Sequence, residues 1–253
     1  MKEVVVGLAV AAVTSATGVG GSLITLPLLL LACSAAAPKA VGTALVFATL
    51  IRIAALSDYA RRQDVNWEAA GRMLLGGVPG VLTGSLLLAK VSAADLQALI
   101  LLVGLTICTM AVYDLLRPWL ASGSRMRDSK HLLGWLSFPV GLQVGFSGVG
   151  AGALGTLLLL NYTRLEASTV VGTVLVFSLG LSTLGSGVHA ALGNCDFVLV
   201  GKLAIGGMLG VMLGGWMASR VPARPMRMAL LALLAVLGGR LSWEGVLALL
   251  TLR

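Results

Sequence analysis

Charge is what this sequence has least of. Lys and Arg number 18 and Asp and Glu 10 in 253 residues, or 11% charged, against about 25% in a soluble domain. Too little polar side chain is present to cover a water-facing surface, which excludes a soluble globular enzyme. A disordered chain is excluded as well, because 58% of the residues are hydrophobic. Histidine is almost absent, with only His131 and His189. The three cysteines, Cys33, Cys108 and Cys195, lie far apart and form no CxxC. With no HExxH and no other metal-ligand spacing, no resident metal and no cofactor is expected, and no disulfide framework. The GxxxxGK[ST] loop of an ATP-driven machine is missing too. An intramembrane enzyme would need a nucleophile and base, or paired carboxylates, in mid-block. His189 and Asp196 are the one nearby pair and stand at a block end, so the chain is read as not an enzyme.

What is present is long apolar sequence, with a mean hydropathy of +0.98. A membrane-spanning helix needs about 20 apolar residues, and the blocks are continuous rather than alternating, which argues against a β-barrel. The fold class is therefore all-α, a polytopic membrane protein. The formal charge of +8 does not indicate nucleic acid. The basic residues sit in short loops between apolar blocks, the positive-inside pattern. The expected partner is the lipid bilayer, crossed many times, with a second copy of the chain in a homodimer as a further candidate.

The chain repeats itself. Residues 41–47 read VGTALVF and residues 171–177 read VGTVLVF, an offset of 130. Between Thr17 and Lys90 the first copy holds nine glycines, and eight of them fall on a glycine 130 positions later. Among them, Gly76, Gly80 and Gly84 map onto Gly206, Gly210 and Gly214, a spacing that lets two helix backbones touch. The expected organisation is a first membrane repeat over 1–116, a polar cytoplasmic linker over 117–131 and a second membrane repeat over 132–253. Apolar blocks fall at 4–33, 38–57, 69–89 and 95–116, then at 132–161, 168–188, 197–218 and 226–250.

The first block of each copy is too long. Thirty residues of helix span roughly 45 Å, against a hydrocarbon core of about 30 Å, and each block carries glycines in its middle (TGVGGS at 17–22, SGVGAG at 147–152). Each is expected to break there, as one kinked crossing or as a hairpin that enters and leaves by the same side. Loop charge separates the two. With hairpins, each copy makes three further crossings, the copies are inverted, and ten loop cations lie inside against four outside. With single crossings, the copies are parallel and the split is eight to six. The positive-inside rule favours inverted repeats, each a Gly-broken helical hairpin plus three transmembrane helices, with both termini outside.

Inverted repeats with a broken helix in each half are a transporter plan, with the substrate at the breaks near mid-membrane. Half-helix N-termini aimed at one point favour an anion. The candidate substrate-binding residues are Thr17, Gly18, Gly20, Gly21, Ser22 and Thr25 at the first break, and Ser147, Gly148, Gly150 and Gly152 at the second. Gln143 is a further polar candidate. Arg52 lies well inside its block, either to neutralise an anion or to reach back to the inner interface. Arg72 and Lys202 are repeat-equivalent and near helix starts, and are read as interfacial cations. Asp114 and Glu244, also equivalent, are read as interfacial carboxylates, with carriage of a coupling proton as the alternative.

The segment Gly18-Val19-Gly20-Gly21-Ser22-Leu23 leading to Pro27, its echo Ser147-Gly148-Val149-Gly150-Ala151-Gly152, and the VGTALVF/VGTVLVF pair resemble the sulfite exporter TauE/SafE family over nearly the whole chain. Two departures stand out: Ser22 follows the first glycine cluster, and Leu157 replaces Pro27 in the second copy. The resemblance implies a plasma-membrane transporter of sulfur-containing anions such as sulfite, sulfonates or sulfoacetate. The expected function is a secondary transporter that exports such an anion by alternating access around a midplane site at the two breaks. The alternative is a passive anion channel with the same site.

Overall fold

The computed structural model describes residues 2–17, 22–32, 37–61, 65–90 and 132–218, with isolated helical positions beyond them. The linker over 117–131, the fourth block of each copy apart from those isolated positions, Gly18, Gly20, Gly21, Cys33, Cys108, Asp114 and Glu244 lie outside the described residues. The described segments form eight helices: α1 (Lys2–Thr17), α2 (Ser22–Ala32), α3 (Ala37–Arg61), α4 (Trp67–Ala89), α5 (Leu132–Ser147), α6 (Ala151–Tyr162), α7 (Ala167–Ala191) and α8 (Phe197–Ala218). The first block of the second copy, 132–161, is thus two helices, as its length required, and in the first copy α1 and α2 flank residues outside those described. Apolar stretches long enough to cross a membrane are found at Trp67–Ala89, Thr169–Ala191 and Phe197–Gly214 among the described residues.

Helices so rich in glycine hold together because glycine admits a neighbouring backbone. α4 lies against α5, and α1 against α8. A Cβ on Gly76 would land on the Gly134 carbonyl, and one on Gly206 would land on the Val4 carbonyl. These two contacts are related by exchanging the copies at the 130-residue offset. So are the next two: Gly77 faces the Phe177 ring and Gly207 the Phe47 ring, each 2.8 Å from where a Cβ would stand. The wider packing follows the same exchange. α3 meets α8 as α7 meets α4, α2 meets α3 as α6 meets α7, and α1 meets α2 as α5 meets α6, while α3 and α7 pack on each other. Each copy's first and fourth described helices therefore pair with the other copy, and the core is shared. Its largest fully buried side chains include the equivalent pairs Phe47 and Phe177, and Met73 and Leu203.

The outward faces are apolar as well. Leu75, Trp135, Met208 and Met212 are each at least 74% exposed. Continuous apolar exposure of this kind on several helices suits a lipid surface, not water.

Where α4 and α8 begin, the copies are tied by hydrogen bonds. The Asn66 side chain caps α4 by accepting the Ala69 N–H at 2.9 Å, and the Asp196 carboxylate caps α8 by accepting the Leu199 N–H at 2.9 Å. The backbone N–H of Asn66 donates to Thr173 Oγ1 (3.0 Å), and that of Asp196 donates to Thr43 Oγ1 (3.2 Å). Thr43 and Thr173 are the threonines of the repeated VGT.

Candidate functional site

The second break is fully described. α5 ends at Ser147, and α6 starts at Ala151. Between them Gly148 and Gly150 take φ of 72° and 107°, the left-handed region that favours glycine. Ser147 is buried and closes the turn: its hydroxyl donates to the Gln143 carbonyl at 2.8 Å and accepts the Val149 N–H at 3.3 Å. Gly150 is the N-cap of α6 and supplies no side-chain bond. The first turn of α6, with Gly152, therefore has no side-chain cap. That is the arrangement in which backbone N–H groups are open to an anion.

The end of α5 is held from two other helices. In a continuous helix the Gly145 carbonyl would take the Val149 N–H, which here goes to Ser147. The Gly145 oxygen accepts instead from the Ser85 hydroxyl of α4 at 3.3 Å and from His189 Nε2 of α7 at 2.9 Å. Both residues are fully buried. A Cβ on Gly148 would stand 3.2 Å from Val41 and 3.5 Å from Leu45, in the first third of α3.

Three buried side-chain nitrogens lack a hydrogen-bond partner among the described residues: Arg52 Nη2, Gln143 Nε2 and His189 Nδ1. A buried polar group left unpaired costs about 1–3 kcal/mol, so each of the three calls for a partner that the described residues do not supply. Arg52 and Gln143 are two of the candidates read from the sequence. Arg52 is only 4% exposed and sits just past the middle of α3, so its side chain is packed within the protein. It stands seven positions beyond Leu45, roughly 10 Å along the helix axis, so the second break lies nearer the start of α3 than Arg52 does. Its repeat equivalent Ser182 is buried too, and donates to the Leu179 carbonyl of its own helix at 3.1 Å.

At the first break, Thr17 ends α1 and Ser22 begins α2. Thr25 is fully buried one turn into α2. Arg72, the cation read as interfacial, pairs with Glu68 one turn earlier at 2.7 Å. The sequence offers His189 only as half of a pair with Asp196 at a block end, and it does not single out Ser85. His189 ends an apolar block, and nothing in one dimension places it against the break 41 positions earlier.

Comparison with known proteins bears on this geometry. The sequence pattern of the sulfite exporter TauE/SafE family matches residues 4–241. The chain is 25% identical over 249 residues to a probable membrane transporter protein, YjnA, of Bacillus subtilis, covering 94% of this chain and 98% of that one. It is 29% identical over 119 residues to a probable membrane transporter protein of Xylella fastidiosa, 47% of this chain and 45% of the relative. No solved structure matches.

Proposed function

The chain belongs to the sulfite exporter TauE/SafE family, and from that premise we propose that this membrane transporter exports a small sulfur-containing anion, of the sulfite, sulfonate or sulfoacetate class, across the cell membrane. It works as a secondary transporter by alternating access, with the anion held between the two Gly-rich breaks. The observation that carries the reading is the set of unpaired buried donors on Arg52 and Gln143, in a bundle whose α6 N-terminus has no side-chain cap. An anion accepts hydrogen bonds and offsets the Arg52 charge. A lone cation within the bilayer costs about 2.5–3.5 kcal/mol on insertion scales.

The inverted arrangement of the repeats has support from chain direction. Asn66, just past the end of α3, bonds to Thr173 near the start of α7. Asp196, just past the end of α7, bonds to Thr43 near the start of α3. The finish of each long helix thus meets the beginning of the other, as antiparallel neighbours do. The hairpin has similar support. α5 runs out along α4, with Gly134 beside Arg72 and Gly145 beside Val81 and Ser85. The chain then returns, so that Thr163, Arg164 and Leu165 line one cavity with Asn66, Glu68 and Arg72.

The test is a thermal-stability screen of the purified protein against sulfite, sulfate, methanesulfonate, sulfoacetate and simple carboxylates. A ligand of the folded state raises its melting temperature by mass action. A rise with sulfur anions alone supports the reading, and no rise with any anion removes it. Saturable counterflow in liposomes supports a carrier, whereas a linear ohmic current supports the channel.

A further inference from the structure

His189 has a chemistry that holding a helix end does not use up. Its Nε2 lies 2.9 Å from the Gly145 carbonyl. A carbonyl only accepts, so Nε2 carries the hydrogen and Nδ1 is left as a bare acceptor. Nδ1 is buried and has no partner, in a residue with no exposed surface. Capping the Gly145 carbonyl needs one donor, and Ser85 already supplies one. The second ring nitrogen is therefore surplus to the fold, on an imidazole that meets α5 at Gly145, three residues before Gly148.

Among the described residues, the charged and titratable groups at this end of the bundle are few. α3 contributes Lys39, which is exposed, and α4 ends at the exposed Lys90. Beyond α7 come Cys195 and Asp196, whose carboxylate is engaged with the Leu199 N–H. α5 carries no ionisable residue, and the one on α6, Tyr162, lies at its far end. Among the described residues no carboxylate pairs with the imidazole, so an imidazolium here calls for an anion from elsewhere.

We propose that His189 takes up a proton at Nδ1 as the anion binds, so that the two are carried together. The inference rests on the anion-transporter reading above. The Nδ1–H bond forms as an O–H bond of a hydronium ion breaks, which leaves a neutral water. The proton comes from water on the side where the anion enters and returns to water where the anion leaves. Binding is reciprocal: the anion favours the proton and the proton favours the anion by the same factor. Affinity then rises as pH falls, by up to about tenfold per pH unit for one linked proton.

The experiment is calorimetric titration of the purified full-length protein with sodium sulfite and with sodium methanesulfonate, in Tris and in bis-tris, for the native chain and for His189→Gln. Gln retains a donor for Gly145 and has no titrating nitrogen. The difference between the two proteins cancels sulfite's own titration. Uptake of about one proton per bound anion in the native chain and none in His189→Gln supports the proposal. Binding with the same proton uptake in both proteins, or with none in either, overturns it and leaves the transporter reading standing. Binding of neither anion by the native chain overturns the anion reading, and the proposal with it. Should His189→Gln fail to fold, nitrogen-15 histidine spectra of His131→Gln report on His189 alone. Conversion of Nδ1 to the protonated form on addition of the bound anion supports the proposal, and an unchanged Nδ1 overturns it.

Discussion

Thr173 Oγ1 accepts the backbone N–H of Asn66 at 3.0 Å, from the opposite copy of the repeat. Thr43 does the same for Asp196 at 3.2 Å. The two bonds join the start of each copy's α4-type helix to the long helix of the other. Replacing either Thr with Val keeps the shape and leaves an N–H unpaired. Each change is expected to cost about 1 kcal/mol, with Thr→Ser close to neutral. Thermal unfolding in detergent measures both, and similar losses at the two positions are the mark of the two-fold relation.

Glycine substitutions separate packing from propensity. Gly76→Ala and Gly206→Ala push a methyl onto a backbone carbonyl, so the helix pair must part and the folded yield is expected to collapse. Gly71→Ala and Gly187→Ala meet nothing within 4 Å. At those sites alanine is expected to be neutral or to stabilise by up to about 1 kcal/mol, its advantage over glycine in a helix. Melting temperatures of the four variants decide the matter.

The break itself is expected to be functional. Gly150 has φ of 107°, which a leucine side chain adopts only at a cost of about 1–2 kcal/mol. Gly150→Leu, and Gly20→Leu in the other copy, should insert in the membrane and lose transport. Anion flux in liposomes, normalised to inserted protein, checks this, and normal flux in both variants would remove the site from the breaks.

Arg52 and Arg72 should behave differently. Arg52→Ala removes a buried cation with an unpaired nitrogen. Loss of a hydrogen bond to a charged group is worth about 1.5–3 kcal/mol, or roughly 10–150-fold in affinity. Arg72 pairs with Glu68 at a partly exposed site, where such pairs contribute little. Arg72→Ala is expected to change affinity less than about twofold on that account. Equal, small effects in a binding titration would show that Arg52 does not meet the anion.

Orientation is open to direct labelling. Single cysteines placed at each end of the chain should react with an impermeant reagent from outside the cell. A cytoplasmic terminus at either end would overturn the hairpin arrangement.

Much of this was legible in one dimension. Scarce charge and long apolar blocks determined an all-helical membrane protein, because a bilayer admits only helices and closed barrels, and unbroken apolar blocks lack the alternation of barrel strands. The 130-residue echo determined two copies of one unit, and block length required a break at the glycines, since a helix has a fixed rise per residue. Whether Arg52 is buried or reaches an interface was not legible, because periodicity cannot tell a lipid-facing stripe from a core-facing one when both are apolar. Nor was the reason for the repeated VGT: its threonine serves a helix start in the other copy, which only the packed bundle brings near. The tertiary structure alone decided that His189 lies against Gly145 with one nitrogen spare. Contacts across a bundle depend on how helices pack, and a sequence of uniformly apolar helices carries little information about that.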